Sequence, residues 1–268
     1  MKNILVPIGS SPNSHETLQY AVDFAAQFGS SVYAMEVFSA SAGAGNLANI
    51  TEKVERSSKE RLLEVIGKVN TGKVEVKIAT YKGDLVNGLK KIDEEFGIDL
   101  VIIAARCNDA KEELYLGNTT GSIIKQTNIP SLIVPRGSVF NPFKNILTAF
   151  KSGTLKKDSI LDPLKEIVSK FNSTVNLLQV ITPELKDEDL EINPSLRALG
   201  SNLVVTEHAK TYLGVLEQFQ SHHPDLLCVF RRKRGFFKAL WEKNTIPKSE
   251  FSSRVPVLVL SVKTVDVA

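Results

Sequence analysis

Short apolar runs alternate with stretches of helical periodicity along the whole chain. Ile4-Leu5-Val6-Pro7-Ile8 is a continuous apolar run ended by Gly9-Ser10-Ser11-Pro12, which reads as a buried strand and a loop. Ser14 stands where a residue could cap a helix to about Phe28; Leu18, Ala21, Ala25 and Phe28 share its face and Gly29 ends it. A second strand is predicted over 32–38, and the small, glycine-rich 39–49 predicts a mobile loop. A helix is predicted over 51–69 and a strand over 74–81. Gly83-Asp84 predicts a turn and cap for a helix with Leu85, Leu89, Ile92 and Phe96 on one face. A strongly apolar strand follows over 99–105, then a helix over 117–128 and a last strand over 129–135.

The pattern then repeats. Lys2-Asn3-Ile4-Leu5 returns as Lys144-Asn145-Ile146-Leu147, and Phe28-Gly29-Ser30-Ser31-Val32 as Phe171-Asn172-Ser173-Thr174-Val175. Asp99-Leu100-Val101 returns as Asp225-Leu226-Leu227, and the run 129–134 as 255–260. Each copy is a whole domain rather than a solenoid unit, and the second is shorter in its middle. The second copy places Asp158 at a helix start, Leu161, Leu164, Ile167, Val168 and Phe171 on the buried face, and Asn172 at its end. Gly29 and Asn172 are the two residue types that best tolerate a left-handed C-terminal turn. Val139-Phe140-Asn141-Pro142 reads as the linker, which sets domains of 1–138 and 139–268.

Apolar strands alternating with amphipathic helices predict an α/β protein: two tandem, doubly wound, Rossmann-like domains. Each is expected to hold five parallel strands and four flanking helices. Such sheets bind ligands beyond the C-terminal ends of their strands, so 8–9, 37–38 and 104–120 are the positions to read for function.

Composition narrows the classes. The 268 residues are 43% hydrophobic and 24% charged, ordinary for a globular chain. A net charge of +3 is too small to argue for nucleic acid, and no apolar run reaches the roughly 18 residues of a membrane span. The start carries no secretory signal pattern, so a cytoplasmic location is expected. Cys107 and Cys228 fall at different places in the two copies and make neither a disulfide framework nor a zinc site. His15, His208, His222 and His223 lack metal-ligand spacing, and no nucleophile elbow, Walker loop or triad stands out, so no metal and no enzyme activity is expected.

The opening Lys-Asn-Ile-Leu-Val-Pro, the Gly83-Asp84 turn, Asp99-Leu100-Val101-Ile102 and Ile129-Pro130-Ser131-Leu132-Ile133-Val134 resemble the universal stress protein family in order and spacing. The resemblance runs over nearly the whole chain, twice. It implies a tandem, cytoplasmic, bacterial stress-response protein that regulates or binds. It also implies an intramolecular pseudo-dimer formed through the last strands of the two domains, 129–134 against 255–260, with homodimerisation of the chain open.

ATP-binding members of that family carry Gly-x2-Gly-x9-Gly-Ser/Thr after the fourth strand, where glycines admit phosphates and helix-start N–H groups face the anion. Here the frame keeps its length but reads Ala104, Cys107, Gly117 and Asn118, followed by Thr119 and Thr120. The acidic residue near the ribose is replaced by Gly9. If the first copy binds ATP or AMP with Mg²⁺, the resemblance places the adenosine at Ile8, Gly9 and Val37 and the phosphates at Ala104, Cys107, Gly117, Asn118, Thr119 and Thr120. The second copy holds Phe230, Lys233, Lys243 and Asn244 in the same frame, with Lys151 in place of the acid. Its nucleotide site is lost in the family sense.

Arg231-Arg232-Lys233-Arg234 precedes an aromatic stretch where the second phosphate loop would lie. A solvated basic loop, an anion or acidic-partner site, and a membrane or nucleic-acid surface are the alternatives. Three functions therefore stand: a regulatory binding protein, an adenine-nucleotide binder that turns its ligand over slowly, and a scaffold docking an acidic partner. Gly43-Ala44-Gly45-Asn46-Leu47-Ala48 lacks the strand-to-helix context of a dinucleotide fingerprint and reads as a loop.

Overall fold

The computed structural model describes residues 1–9, 11, 13–39, 47–104, 117–231 and 255–261; for 47–50, 117–119, Glu188, Tyr212 and Gln220 it describes the backbone alone. The first half runs β1 (Asn3–Pro7), α1 (Ser14–Phe28), β2 (Ser31–Phe38), α2 (Leu47–Ile66), β3 (Val76–Lys82), α3 (Leu85–Phe96), β4 (Leu100–Ala104), α4 (Gly117–Gln126) and β5 (Ser131–Val134). The second half runs β6 (Asn145–Phe150), a 3₁₀ turn (Asp158–Leu161), α5 (Asp162–Phe171) and β7 (Thr174–Ile181). It continues with a second 3₁₀ turn (Asp187–Asp189), α6 (Pro194–Leu199), β8 (Asn202–Glu207), α7 (Thr211–His222), β9 (Leu226–Arg231) and β10 (Val257–Ser261).

All ten strands join one sheet in the order β3-β2-β1-β4-β5-β10-β9-β6-β7-β8. Neighbours within each half are parallel. The halves meet where β10 pairs antiparallel with β5, Val257 opposite Ile133, Leu258 opposite Leu132 and Val259 opposite Ser131. The chain is thus a two-half α/β protein with the Rossmann-like winding that the alternating pattern predicts.

Strand side chains alternate between the faces, as a two-residue period requires. On one face Ile4, Val6, Leu100, Ile102, Leu132, Ile146, Leu226 and Leu258 form a single core under α1, α2 and α5 that runs across both halves. On the other, α3 and α4 cover Leu5, Met35, Val101 and Ile103, while α7 covers Leu147, Leu178 and Leu227. The 139–142 connection is fastened rather than slack: the Phe140 ring lies 5.6 Å from both Tyr20 and Phe24 and 5.9 Å from Phe143 and Phe171.

The repeated motifs have a common physical purpose. Asp99 Oδ2 accepts from the Lys2 and Asn3 backbone N–H groups at 2.6 and 3.0 Å, and Asp225 Oδ2 accepts from those of Lys144 and Asn145 at 2.8 and 2.9 Å. The Asn3 amide donates to Phe96 O at 2.7 Å and the Asn145 amide to His222 O at 2.5 Å, satisfying carbonyls at the ends of α3 and α7. Gly29 (φ 65) and Asn172 (φ 51) both hold the left-handed cap conformation.

Two expectations change. Ser14 is not the cap of α1; Asn13 holds that position, and the Ser14 hydroxyl turns back to the Gly9 and Ser11 carbonyls at 2.9 and 2.7 Å. The helix expected from 51 starts at Leu47, so the end of the predicted 39–49 loop is helical. The glycines and small residues that suggested a loop lie before that start. In the second half the counterpart of the 20-residue α2 is α6, of 6 residues, which is where the second copy is shorter. The helix expected between β9 and β10 lies outside the described residues. Among the described residues no helix is long and apolar enough to cross a membrane.

Candidate functional site

In the first half the C-terminal ends of β1, β2 and β4 lie side by side, because β1 is flanked by β2 and β4. Pro7 stands opposite Met35, and the Ile8 N–H donates to Met35 O at 2.7 Å, extending the strand pairing by one residue. Ile8 is therefore buried, while Gly9 is exposed. Val37, one strand over, is partly exposed above the α3 core, and Ala104 ends β4 beside Val134. The structure brings these positions to one edge of the sheet.

Helix α4 begins at Gly117, and its first turn returns to the end of β4: Thr120 is buried, and its hydroxyl donates to Ala104 O at 3.4 Å. Asn118 and Thr119 belong to the same turn. Cys107 lies outside the described residues. First-turn N–H groups have no helical acceptor, so this edge is the one best able to face an anion.

The wall beside Val37 depends on a residue the sequence pattern did not flag. A Cβ on Gly88 would lie 2.4 Å from Met35 Cε and 2.9 Å from Tyr81 Cδ1, so glycine here lets α3 sit close against these side chains, which any other residue would force to shift. Its counterpart on α7, Gly214, would meet His208, Thr206 and Val180 at 2.8 to 3.0 Å. A glycine recurring at the same place in both copies was the available signal.

The second half ends differently. Gly153, just past β6, forms a β-bridge with Ile192, and Asn193 N–H donates to Gly153 O at 3.0 Å. The Gln179 amide donates to the Asp189 and Leu190 carbonyls at 3.2 and 3.4 Å, fastening the same strap over β7. A Cβ on Gly153 would lie 2.7 Å from Ile192 Cα, so strap and strand end are in close contact. Phe230, at the first frame position, is buried with its ring 6.3 Å from that of Phe150. Val180, the strand counterpart of Val37, is fully buried. Lys151, in the acidic position, lies 3.8 Å from Glu184.

Arg231 departs from the basic-run expectation. It is 5% exposed and turns inward from the end of β9. Its guanidinium donates to Ile124 O, to Asn128 Oδ1 at 2.7 Å and to Ser261 Oγ at 2.8 Å. Burial lowers its pKa from the ordinary arginine value. Arg231 is therefore not available to an external partner: its two terminal nitrogens are engaged inside the protein, and its Nε is buried with no hydrogen-bond partner among the described residues. Arg232, Lys233 and Arg234 lie outside the described residues, as do Lys243 and Asn244.

The profile of the universal stress protein family matches residues 1–135. The chain belongs to the universal stress protein family. Universal stress protein MJ0531 of Methanocaldococcus jannaschii is 25% identical over 140 residues, covering 50% of this chain and 82% of that one. Among solved structures, a universal stress protein from Archaeoglobus fulgidus superposes with a TM-score of 0.68 at 15% identity, over 97% of this chain and 96% of that one. The functionally unknown protein PA1789 from Pseudomonas aeruginosa superposes with a TM-score of 0.60 at 14% identity, over 98% and 93% of the two chains. These superpositions extend the universal stress protein fold over both halves of the chain.

Proposed function

We propose that this universal stress protein is a non-catalytic regulatory protein of the cytoplasm that senses through its first half and keeps a closed second half. The observation that carries this reading is the bridge between Gly153 and Ile192, which fastens the second half's own chain across its strand ends. The first half keeps Gly117 at the start of α4 and a partly exposed Val37 at the end of β2.

The ligand that suits the first half is an adenine nucleotide, ATP or AMP with Mg²⁺. Its residues fit the two ends of that molecule unequally. Gly117 adds no side chain at the helix start where a phosphate would sit, and Val37 offers apolar surface to a base. Gly9 brings no carboxylate to a ribose, and Ala104 adds a methyl group where a glycine would let the backbone come closer. Binding weaker than through a full glycine frame follows from both changes.

Calorimetric titration of the full chain with ATP and with AMP, each with Mg²⁺, tests this. Saturable binding at one site per chain, abolished by Gly117→Asp, is the expected result. No heat at millimolar nucleotide would reject the sensing reading.

A further inference from the structure

We propose that Arg231 ties the second half of the molecule to α4, so that the helix beginning at Gly117 is held in place from across the β5–β10 seam. This goes beyond the nucleotide reading, and its test uses no ligand.

Helix α4 belongs to both halves. Ile123 packs into the first-half core with Leu89 and Val101, while its neighbour Ile124 packs into the second-half core with Leu227 and Val259. Arg231 reaches α4 from the far side of the seam and donates to the Ile124 carbonyl in its last turn, and to Asn128 just beyond it. Ser261, at the end of β10, shares the same guanidinium.

The chemistry makes this contact hard to release. A cation is favoured at a helix C-terminus, where carbonyls lack helical donors. Among the described residues no carboxylate lies within ion-pair distance of Arg231, so neutral oxygens offset its buried charge. Moving α4 away would strand a desolvated guanidinium, a larger penalty than losing a solvated contact. A helix of ten residues is a rod about 15 Å long, so a restraint at Ile124 is felt at Gly117. At the place corresponding to Arg231, the residue after Ala104, the first copy has Ala105, which has no side-chain donor.

Hydrogen-exchange mass spectrometry of the full chain decides the matter. Arg231→Met keeps the reach and removes the donors; it is expected to speed exchange at 120–126 about tenfold while β1 to β3 stay unchanged. Arg231→Lys, which keeps a donor, is expected to restore part of the protection. Unchanged exchange at 120–126 in folded Arg231→Met, equal acceleration along the whole chain, or no rescue by lysine would each overturn the proposal. Should Arg231→Met fail to fold, Asn128→Ala takes its place. A smaller acceleration confined to α4 supports the tie, and none there refutes it.

Discussion

Leu258 of β10 stands directly opposite Leu132 of β5, and both side chains are fully buried. The pair sits at the centre of the antiparallel seam and belongs to the core face shared by the two halves. Cutting either side chain back leaves a void that rigid strands on both sides cannot close. Leu258→Ala is expected to cost about 2 to 5 kcal/mol. Because the sheet and one core layer continue through the seam, urea unfolding followed by circular dichroism should remain a single transition at a lower midpoint. Two separated transitions would mean that the halves unfold independently.

The two aspartates that begin the β4 and β9 segments should behave as a matched pair. Asp99 and Asp225 each hold two backbone N–H groups at the start of the first strand of their half. Alanine at either place leaves those donors without the carboxylate, at about 1 to 2 kcal/mol. Similar losses for the two variants in denaturant titrations are expected; a loss at only one would show that the repeat keeps the motif without its energetic role.

His223 closes α7 with φ 43, a conformation that a β-carbon disfavours. Glycine adopts it freely, so His223→Gly should raise stability by about 1 kcal/mol. The same change at Asn172, whose short amide already tolerates φ 51, should do less. Thermal melting of both variants reads the ranking.

Cys228 is fully buried against Thr148, and burial pushes its thiol up to about 12. Iodoacetamide at pH 8 should leave it untouched in the native protein and label it after unfolding, as peptide mapping would report. The pH dependence has a defined sign. The folded state favours the neutral thiol, so this contribution is whole below the ordinary thiol value of 9.0 and is lost as pH rises towards 12. Cys228→Ala should flatten the alkaline limb of the stability curve.

Much of this architecture can be read from residue order. Continuous apolar runs such as 4–8 and 100–104 mark strands buried on both faces, and Gly29 and Asn172 mark helix ends by a backbone conformation few residues accept. Ser14 misled because a hydroxyl near a helix start has several acceptors within reach, and here it bonds the preceding loop. The candidate site was legible only as far as local spacing carries it. The frame located Ala104, Gly117 and Thr120, but the strap from Asp189 to Asn193 has no sequence period, and its closure depends on the contact at Gly153. Arg231 looked like part of a solvated basic run because two of its acceptors, Ile124 and Asn128, lie more than a hundred positions away and the third, Ser261, lies on another strand.

The seam carries one more consequence. A protein that pairs with an identical copy must make one sequence serve both sides of its interface, and each substitution then acts twice. Here each side is written separately. Ser131 faces Val259, whereas the matching position on the other strand, Val257, faces Ile133. Arg231 has no arginine for a counterpart. Joining the two copies has released the interface from mirroring itself, so one flank can change its chemistry while the other stays as it was.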